Sequence, residues 1–304
     1  MRPPLRSSFL LLLFSLLLLF SARVGAQKDD VQSQLLREAS HQDPQWLIVQ
    51  PHLPDPMTGS AAQLETAADV LRARRFPVDA LDYYGYALRR GGDQVQLLNK
   101  MGVTTLELRN AQQARAYFQR AVKINKKSAE GWNNLGALEY LERRYGAAIS
   151  DYKRAIKIDK TSSTFHSNLG TAYFELKDFE SARKEFGVAL QLDPQMFERR
   201  RQGNAGVTAH MLSPEDRARF CFEMARLYAK NGDEAAMLHS LQMASEGGFD
   251  VAREMGMDAS LAPYRKDPRV LLILQNARAL RAGRNATAVA AGTLPMLPQP
   301  LHDE

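Results

Sequence analysis

The amino-acid sequence predicts an all-α fold made of four copies of one repeated unit. A short pattern of small and aromatic residues recurs with a period of 34 residues from about residue 61 to residue 194. Its aromatic member shows the period most clearly, at Tyr84, Phe118, Tyr152 and Phe186. Each of these residues has an alanine four positions before it and three positions after it. A fixed period of this length is the signature of a repeat architecture, in which neighbouring units stack and bury a continuous core.

The pattern also contains a large apolar residue followed by glycine, at Met101-Gly102, Leu135-Gly136 and Leu169-Gly170. Trp132 stands three residues before the second of these pairs, which gives the motif W-x-x-L-G. Together with the 34-residue period and the aromatic residues, this motif resembles the tetratricopeptide repeat (TPR). The resemblance implies that each unit is two antiparallel helices and that the units form an α-solenoid, a right-handed superhelix.

Small residues explain how the two helices of a unit approach each other closely. The predicted contact points are Gly136, Gly170, Ala148 and Ala182. A single hairpin cannot bury its own apolar face, so about three or more must stack, and the repeated aromatic residues fill the seams between them. The first copy carries Ala67-Ala68 in place of the apolar-glycine pair, and we interpret it as a terminal, atypical unit.

The remaining segments follow from composition and from helix start and stop signals. The predicted order is a signal peptide at 1–26, a proline-containing linker or arm at 27–60, four TPR units within 61–194 (about 61–94, 95–128, 129–162 and 163–196), an arginine-rich insert at 195–217, a degenerate TPR-like helix pair at 218–252, a capping segment and helix at 253–282, and a disordered tail at 283–304. Ser213-Pro214 has the form of a helix start. The stretch LAPYRKDPR at 261–269 is similar to the closing segment of many bacterial TPR proteins, which predicts a cap.

The N-terminus has the order of a signal peptide. Arg2 and Arg6 precede the 12-residue apolar run FLLLLFSLLLLF, and small residues follow as far as Ala26. A membrane-spanning helix needs roughly 20 apolar residues, so the run is typical of a cleaved leader. We expect cleavage after Ala26 and a periplasmic or secreted protein; an uncleaved leader that anchors the chain in a membrane is the alternative.

The charge and cysteine content limit the classes of partner. Removal of residues 1–26 takes three arginines, so 40 basic residues become 37 against 34 acidic ones and the mature net charge is +3. This small excess gives no argument for nucleic acid, which requires basic residues concentrated on one face. The single cysteine, Cys221, has no partner for an internal disulfide. Its neighbours Phe220 and Phe222 favour a buried, apolar role.

The sequence contains no motif for catalysis, a metal or a cofactor. Neither H-E-x-x-H, a phosphate-binding G-x-x-x-x-G-K-[ST] loop nor G-x-S-x-G occurs. The histidines lack the close spacing of metal ligands; they are His41, His52, His166, His210, His239 and His302. We therefore expect a protein that is not an enzyme and that uses no cofactor.

The TPR resemblance implies where a partner binds, because the first helix of every hairpin lines the concave face of such a stack. Two rows of residues are predicted to point into this groove: Asn99, Asn133 and Ser167, and Leu106, Tyr140 and Phe174. Amides can bond to the backbone of an extended peptide while aromatic rings hold its side chains. The alternative is that the aromatic residues only pack between helices and that the amides satisfy nearby backbone groups.

Two further features bear on the partner. TPR proteins with a carboxylate clamp use basic residues in this groove, but only Lys100 stands beside Asn134 here, so that activity is not expected. Arg199, Arg200 and Arg201 form a loop that either holds an anionic partner or is simply solvated.

We therefore expect an exported scaffold or adaptor that binds a protein or peptide in its groove. A membrane-anchored or self-associating structural subunit of an envelope assembly is the alternative function.

Overall fold

The computed structural model describes residues 31, 33–197 and 214–279. Within these ranges the regular structure is helical and no strand occurs. The predicted all-α fold class is confirmed. The chain forms two compact units, one extending through Leu138 and the other starting at Glu139.

The first unit consists of short N-terminal helices followed by helix pairs. Its elements are α1 (33–40), α2 (Pro44–Val49), a 3₁₀ turn (Gln50–His52), α3 (Ala61–Ala73), α4 (Pro77–Arg89), α5 (Gln94–Glu107) and α6 (Ala111–Ile124). Helix α7 (Ala129–Leu141) begins in the first unit and ends in the second.

The second unit continues the same alternation of helices. Its further elements are α8 (Tyr145–Ile158), α9 (Ser163–Glu175), α10 (Phe179–Leu192), α11 (Pro214–Asn231), α12 (Glu234–Glu246), α13 (Val251–Met257), a 3₁₀ turn (Ala262–Tyr264) and α14 (268–279). Helix α11 starts four residues before the predicted boundary at 218, because Pro214 occupies the first turn of the helix, where its missing N–H costs nothing.

One turn geometry recurs inside the four repeated pairs. The second helices α4, α6, α8 and α10 begin at residues 77, 111, 145 and 179, which are 34 residues apart. The middle residue of each preceding turn has a φ between 60° and 66°; these residues are Arg75, Arg109, Arg143 and Lys177. The next N–H then donates to a carbonyl five residues back, as Phe76 does to Leu71 at 2.8 Å. This left-handed cap ends the first helix and reverses the chain.

The α11–α12 pair has the same turn, although its sequence departs from the repeat. Gly232 takes the left-handed position with a φ of 76°, and the N–H of Asp233 donates to the carbonyl of Tyr228 at 3.0 Å. The side chain of Asp233 then accepts from the N–H of Ala236 and caps α12. The turn of this pair therefore has the same backbone geometry as the turns of the four repeated pairs.

Close contacts between glycine and aromatic residues hold the helices of a pair together. In the first unit a Cβ added at Gly102 would lie 2.6 Å from Cδ1 of Phe118. In the second unit a Cβ at Gly170 would lie 2.7 Å from Cδ1 of Phe186. Both aromatic rings are fully buried. The glycines are therefore required for the close packing of α5 on α6 and of α9 on α10.

The C-terminal segment belongs to the core of the second unit. Val251, Leu261 and Val270 are completely buried and pack in the same cluster as Phe222 of α11 and Leu241 of α12. The segments after α12 thus cover apolar surface that the α11–α12 pair would otherwise expose to water.

The N-terminal segment differs from the linker or extended arm predicted for 27–60. Asp43 caps α2, and Pro44 occupies its first position, where proline is tolerated instead of breaking the helix. The ring of Trp46 stacks on the ring of His41, with 3.7 Å between their centroids, and it meets the ring of Phe76 edge-on, with 5.2 Å between centroids. Arg37 of α1 pairs with Asp82 of α4 at 2.5 Å. The described part of this segment therefore folds onto the first helix pair.

Several predicted features lie outside the described residues. They are the signal peptide at 1–26, the cap residue Ser213, the loop residues Arg199, Arg200 and Arg201, and the tail at 283–304.

Candidate functional site

The predicted groove residues of the first unit are mostly buried. Asn99 is 5% exposed, and its Nδ2 donates to Oγ of Ser128 at 3.4 Å, while its Oδ1 is buried without a hydrogen-bond partner. Asn133 is 9% exposed. Leu106 is partly buried and packs beside Trp132 against the Phe118 cluster. These side chains thus serve helix packing and leave only small surfaces for a partner.

The predicted groove residues of the second unit are buried more deeply. Tyr140 is 7% exposed and donates its hydroxyl to Oε1 of Glu175 at 2.8 Å; burial and this hydrogen bond raise its pKa. Ser167 and Phe174 have no exposed surface. The Phe174 ring lies 5.1 Å from Phe179, edge-on. A partner could contact Ser167 or Phe174 only after local opening, and the groove assignment of all six residues stays a prediction.

The first unit instead presents an ion-pair network between its first helices α3 and α5. Lys100 Nζ lies 2.7 Å from Oε1 of Glu65 and 2.6 Å from Oδ2 of Asp69. Asp69 also accepts the hydroxyl of Tyr84 at 2.6 Å. Burial by itself lowers the pKa of Lys100, but the hydrogen bonds to the two carboxylates outweigh burial and raise it.

Lys100 is therefore a positive charge already neutralised by its own chain, and it cannot act as a free clamp for a partner's carboxylate. The sequence signal for this network is the i, i+4 spacing of Glu65 and Asp69 on one face of α3. Sequence reasoning missed it because the partner lies in the next first helix.

A second network is centred on Glu223 of α11, which is 1% exposed. Its carboxylate pairs with Arg183 at 2.9 Å, Arg219 at 3.1 Å and Arg226 at 3.0 Å. Arg226 also pairs with Asp258 at 2.5 Å. The network joins α10, α11 and the segment after α13. The spacing of Arg219, Glu223 and Arg226 on α11 is a sequence signal for its central part, whereas Arg183 and Asp258 come from distant segments.

A concave site lies between the second helices α4 and α6 of the first unit. This α4–α6 cleft has a volume of about 780 Å³, within the range of ligand pockets. Residues of α1, α4, α5 and the start of α6 line it; those with exposed polar or aromatic groups are Asp82, Tyr86, Arg89, Arg109, Gln113 and Tyr117. The only sequence signal for it is a basic stretch without acidic residues at 108–129.

A smaller depression of about 600 Å³ lies between α2 and α3. Its lining is mainly aliphatic and includes Ile48, Val49, Leu53 and Val70. Val49 is buried there, whereas Ile48 is exposed.

Other kinds of site are not seen in the described ranges. Residues 31, 33–197 and 214–279 contain no group of three or more histidine, cysteine or acidic side chains that could hold a metal ion. None of the helices described combines the length and the apolar character that crossing a membrane requires. Cys221 is partly buried against the core of the second unit.

Comparison with known families identifies the repeated pairs. Residues 65–128 and 163–196 each match a family described as "Tetratricopeptide repeat", and residues 139–177 match a family described as "TPR repeat". These stretches are tetratricopeptide repeats. The TPR pattern read from the sequence is confirmed, and so is the predicted TPR fold class of antiparallel helix pairs. No curated protein matches the chain in sequence.

Three solved structures illustrate the similarity. A MamA fragment of Desulfovibrio magneticus RS-1 is 16% identical, with 64% of this chain and 96% of that chain covered and a TM-score of 0.43. The structure of pilF of Pseudomonas aeruginosa is 15% identical, with 83% of this chain and 94% of that chain covered and a TM-score of 0.43. YrrB, described as a TPR protein with an unusual peptide-binding site, is 22% identical, with 48% of this chain and 75% of that chain covered and a TM-score of 0.39.

Proposed function

We propose that this protein is a non-catalytic scaffold that is exported to the periplasm or secreted and that binds a segment of a partner protein through its TPRs. The observation that carries the proposal is the succession of TPRs over residues 65–128 and 139–196. Stacked repeats of this kind build extended binding surfaces in place of a reaction site.

The first helices of the pairs are the proposed binding elements. In the first unit Asn99 and Asn133 keep exposed fractions of 5% and 9%, and Leu106 adds a partly exposed aliphatic group. In the second unit Tyr140 keeps a small exposed fraction beside Glu175. Amides and an aromatic ring suit a peptide backbone with apolar side chains. Ser167 and Phe174 contribute by packing the helix that carries them.

The test is crosslinking capture from the native envelope fraction with residues 27–304, compared with an Asn133→Ala/Tyr140→Ala variant. Both proteins are first shown to have equal helical circular dichroism. The matched control is Gln119→Ala/Lys123→Ala, two exposed changes on the second helix α6. We expect partners that are lost in the first variant and kept in the control. An unchanged partner list would refute the assignment to the first helices.

Export is tested separately by the mass of the protein recovered from cells. The proposal predicts a chain that starts at Gln27, after cleavage behind Ala26, in the periplasm or the medium. The supporting observation is the 12-residue apolar run with its flanking arginines and small residues. An intact N-terminus in the membrane fraction would instead favour the alternative, a membrane-anchored structural subunit.

A further inference from the structure

We propose that the α4–α6 cleft is a second binding site, which takes an extended, acidic segment of a partner protein and pairs its carboxylates with Arg89 and Arg109. The cleft belongs to the second helices, whereas the function proposed above uses the first helices. The two proposals therefore rest on different residues and can fail independently.

The electrostatics of the cleft favour a negatively charged occupant. No carboxylate of the described residues lies within ion-pair distance of Arg89 or Arg109. Asp82 is the one acidic residue among the lining side chains described, and Arg37 already pairs with it at 2.5 Å. Both guanidinium groups are exposed and neither forms an ion pair among the described residues, although the charge of Arg89 also acts on Asp82.

The neighbouring part of α6 extends this positive surface. Residues 108–129 contain six basic residues and no acidic one. Arg120 follows Tyr117 of the cleft by three residues on α6, so both lie on the same helix face, and Arg120 has no ion pair within the described part of the chain. A carboxylate-rich segment that leaves the cleft along α6 would meet this third arginine.

The uncharged groups of the cleft suit a polypeptide. The guanidinium of Arg89 lies over the ring of Tyr86 at 4.8 Å from its centroid, which orients it. Gln113 donates to the hydroxyl of Tyr117 at 3.3 Å. These amide and hydroxyl groups can bond to a peptide backbone, and the aliphatic floor, which includes Val78 and Met101, can receive an apolar side chain.

The shape argues for a chain segment instead of an anionic membrane. A membrane surface is flat and is met by protruding side chains, whereas Arg89 and Tyr86 line a concave site. Guanidinium groups form paired hydrogen bonds with carboxylates. An extended segment rich in glutamate and aspartate carries several carboxylates along its length.

Gly85 makes the cleft testable without damage to the core. A Cβ added at Gly85 would come near only one side-chain atom, Nη1 of Arg89 at 3.7 Å. Gly85→Leu therefore fills the cleft, and the change also removes a glycine from the middle of α4, which favours the helix. Helical circular dichroism equal to that of the unchanged protein is the check that loss of binding in this variant is not caused by unfolding.

The experiment measures fluorescence anisotropy of a labelled octapeptide in which glutamate alternates with leucine, added to the purified protein at low salt. A second peptide has glutamine in place of every glutamate. The protein variants are Arg89→Gln/Arg109→Gln, Gly85→Leu and the charge-matched control Lys157→Gln/Lys160→Gln, whose lysines are exposed outside the cleft and outside residues 108–129.

We expect saturable binding of the acidic peptide that weakens about tenfold with the glutamine peptide and about tenfold in the double arginine variant. Gly85→Leu should weaken binding by a similar factor, and the lysine control should change it less than twofold. No saturable binding, or an equal loss in the lysine control, would overturn the proposal. So would tighter binding to phosphatidylglycerol vesicles or to single-stranded DNA than to the acidic peptide.

Discussion

At the scale of single residues, the second unit depends on a carboxylate that has been taken out of water. Glu223 is 1% exposed and is bonded by three arginines. Burying a charge in this position costs free energy, and the attraction of the arginines offsets that cost only when all three are present. The arginines keep their outer parts in solvent, so the network is stable while the central negative charge is present.

Glu223→Gln should therefore destabilise the protein by about 3 kcal/mol, since it leaves guanidinium groups facing one another without the charge that binds them. Urea unfolding followed by circular dichroism measures the loss. Glu215→Gln, at an exposed position of the same helix, is the control and should change the free energy of unfolding by less than about 0.5 kcal/mol. Equal effects of the two changes would contradict the network's role.

Asp258 gives the same network a dependence on pH. Burial alone raises its pKa, but hydrogen bonds from Ser260 and the charge of Arg226 outweigh burial and lower it. A carboxyl whose pKa is lower in the folded state stabilises the fold above its unfolded pKa of about 3.9. That contribution is lost as the pH falls from there through the folded pKa.

Asp258→Asn should accordingly lower the free energy of unfolding by about 1–2 kcal/mol at pH 7. The difference from the unchanged protein should shrink as the pH falls below about 4. Urea unfolding at pH 7 and at pH 3 provides the comparison. A penalty that is the same at both pH values would show that the charge is not the cause.

At the scale of elements, the turn inside each helix pair is a recurring part of the repeat. Basic residues, not glycines, occupy the left-handed position in the four repeated pairs, although Gly232 occupies it in the fifth. The left-handed conformation costs a residue with a Cβ roughly 1–2 kcal/mol of free energy.

Arg75→Gly should therefore stabilise the protein by about 0.5–1 kcal/mol, because the relief of strain exceeds the entropy that glycine loses on folding. The adjacent Arg74 has a φ of −87°, so Arg74→Gly brings only the entropic cost and should destabilise by a similar amount. Thermal unfolding of the two variants tests the sign. Destabilisation by both would show that strain at Arg75 is negligible.

Sequence periodicity predicts the repeated helix pairs well, because the small and aromatic residues that set the period are also those that pack. Phe118 and Phe186 are fully buried where the pattern requires it. The pattern does not predict the helices of the N-terminal segment. A proline such as Pro44 indicates the end of a helix unless it is known to stand in the first turn, where it is tolerated. Side chains that interact across distant segments, such as Arg183 and Glu223, leave no periodic signal.

At the scale of the whole molecule, repeat proteins distribute their stability over neighbouring units instead of sharing one central core. The candidate sites follow the same logic, because each arises where adjacent helices meet. The α4–α6 cleft was not predicted from the sequence for this reason: α4 supplies Arg89 and α6 supplies Tyr117, and only their packing brings them together.

A local defect should consequently have local effects. Gly102→Ala forces a Cβ against the buried ring of Phe118 and should cost about 1–3 kcal/mol. Hydrogen exchange with mass spectrometry should show faster exchange within residues 94–124 and little change within residues 214–279. The control Gly85→Ala, whose new Cβ would make only an ordinary contact with Nη1 of Arg89 at 3.7 Å, should not speed exchange in either region. Uniformly faster exchange would indicate a single cooperative block instead.

The connection between α4 and α5 is useful for engineering. Residues 90–93 join α4 to α5, and a Cβ added at Gly91 would meet no heavy atom within 4 Å. An epitope tag or a fluorophore-bearing peptide spliced into the chain at this residue would therefore project into solvent without disturbing a packed helix. The protein thus offers an internal labelling position.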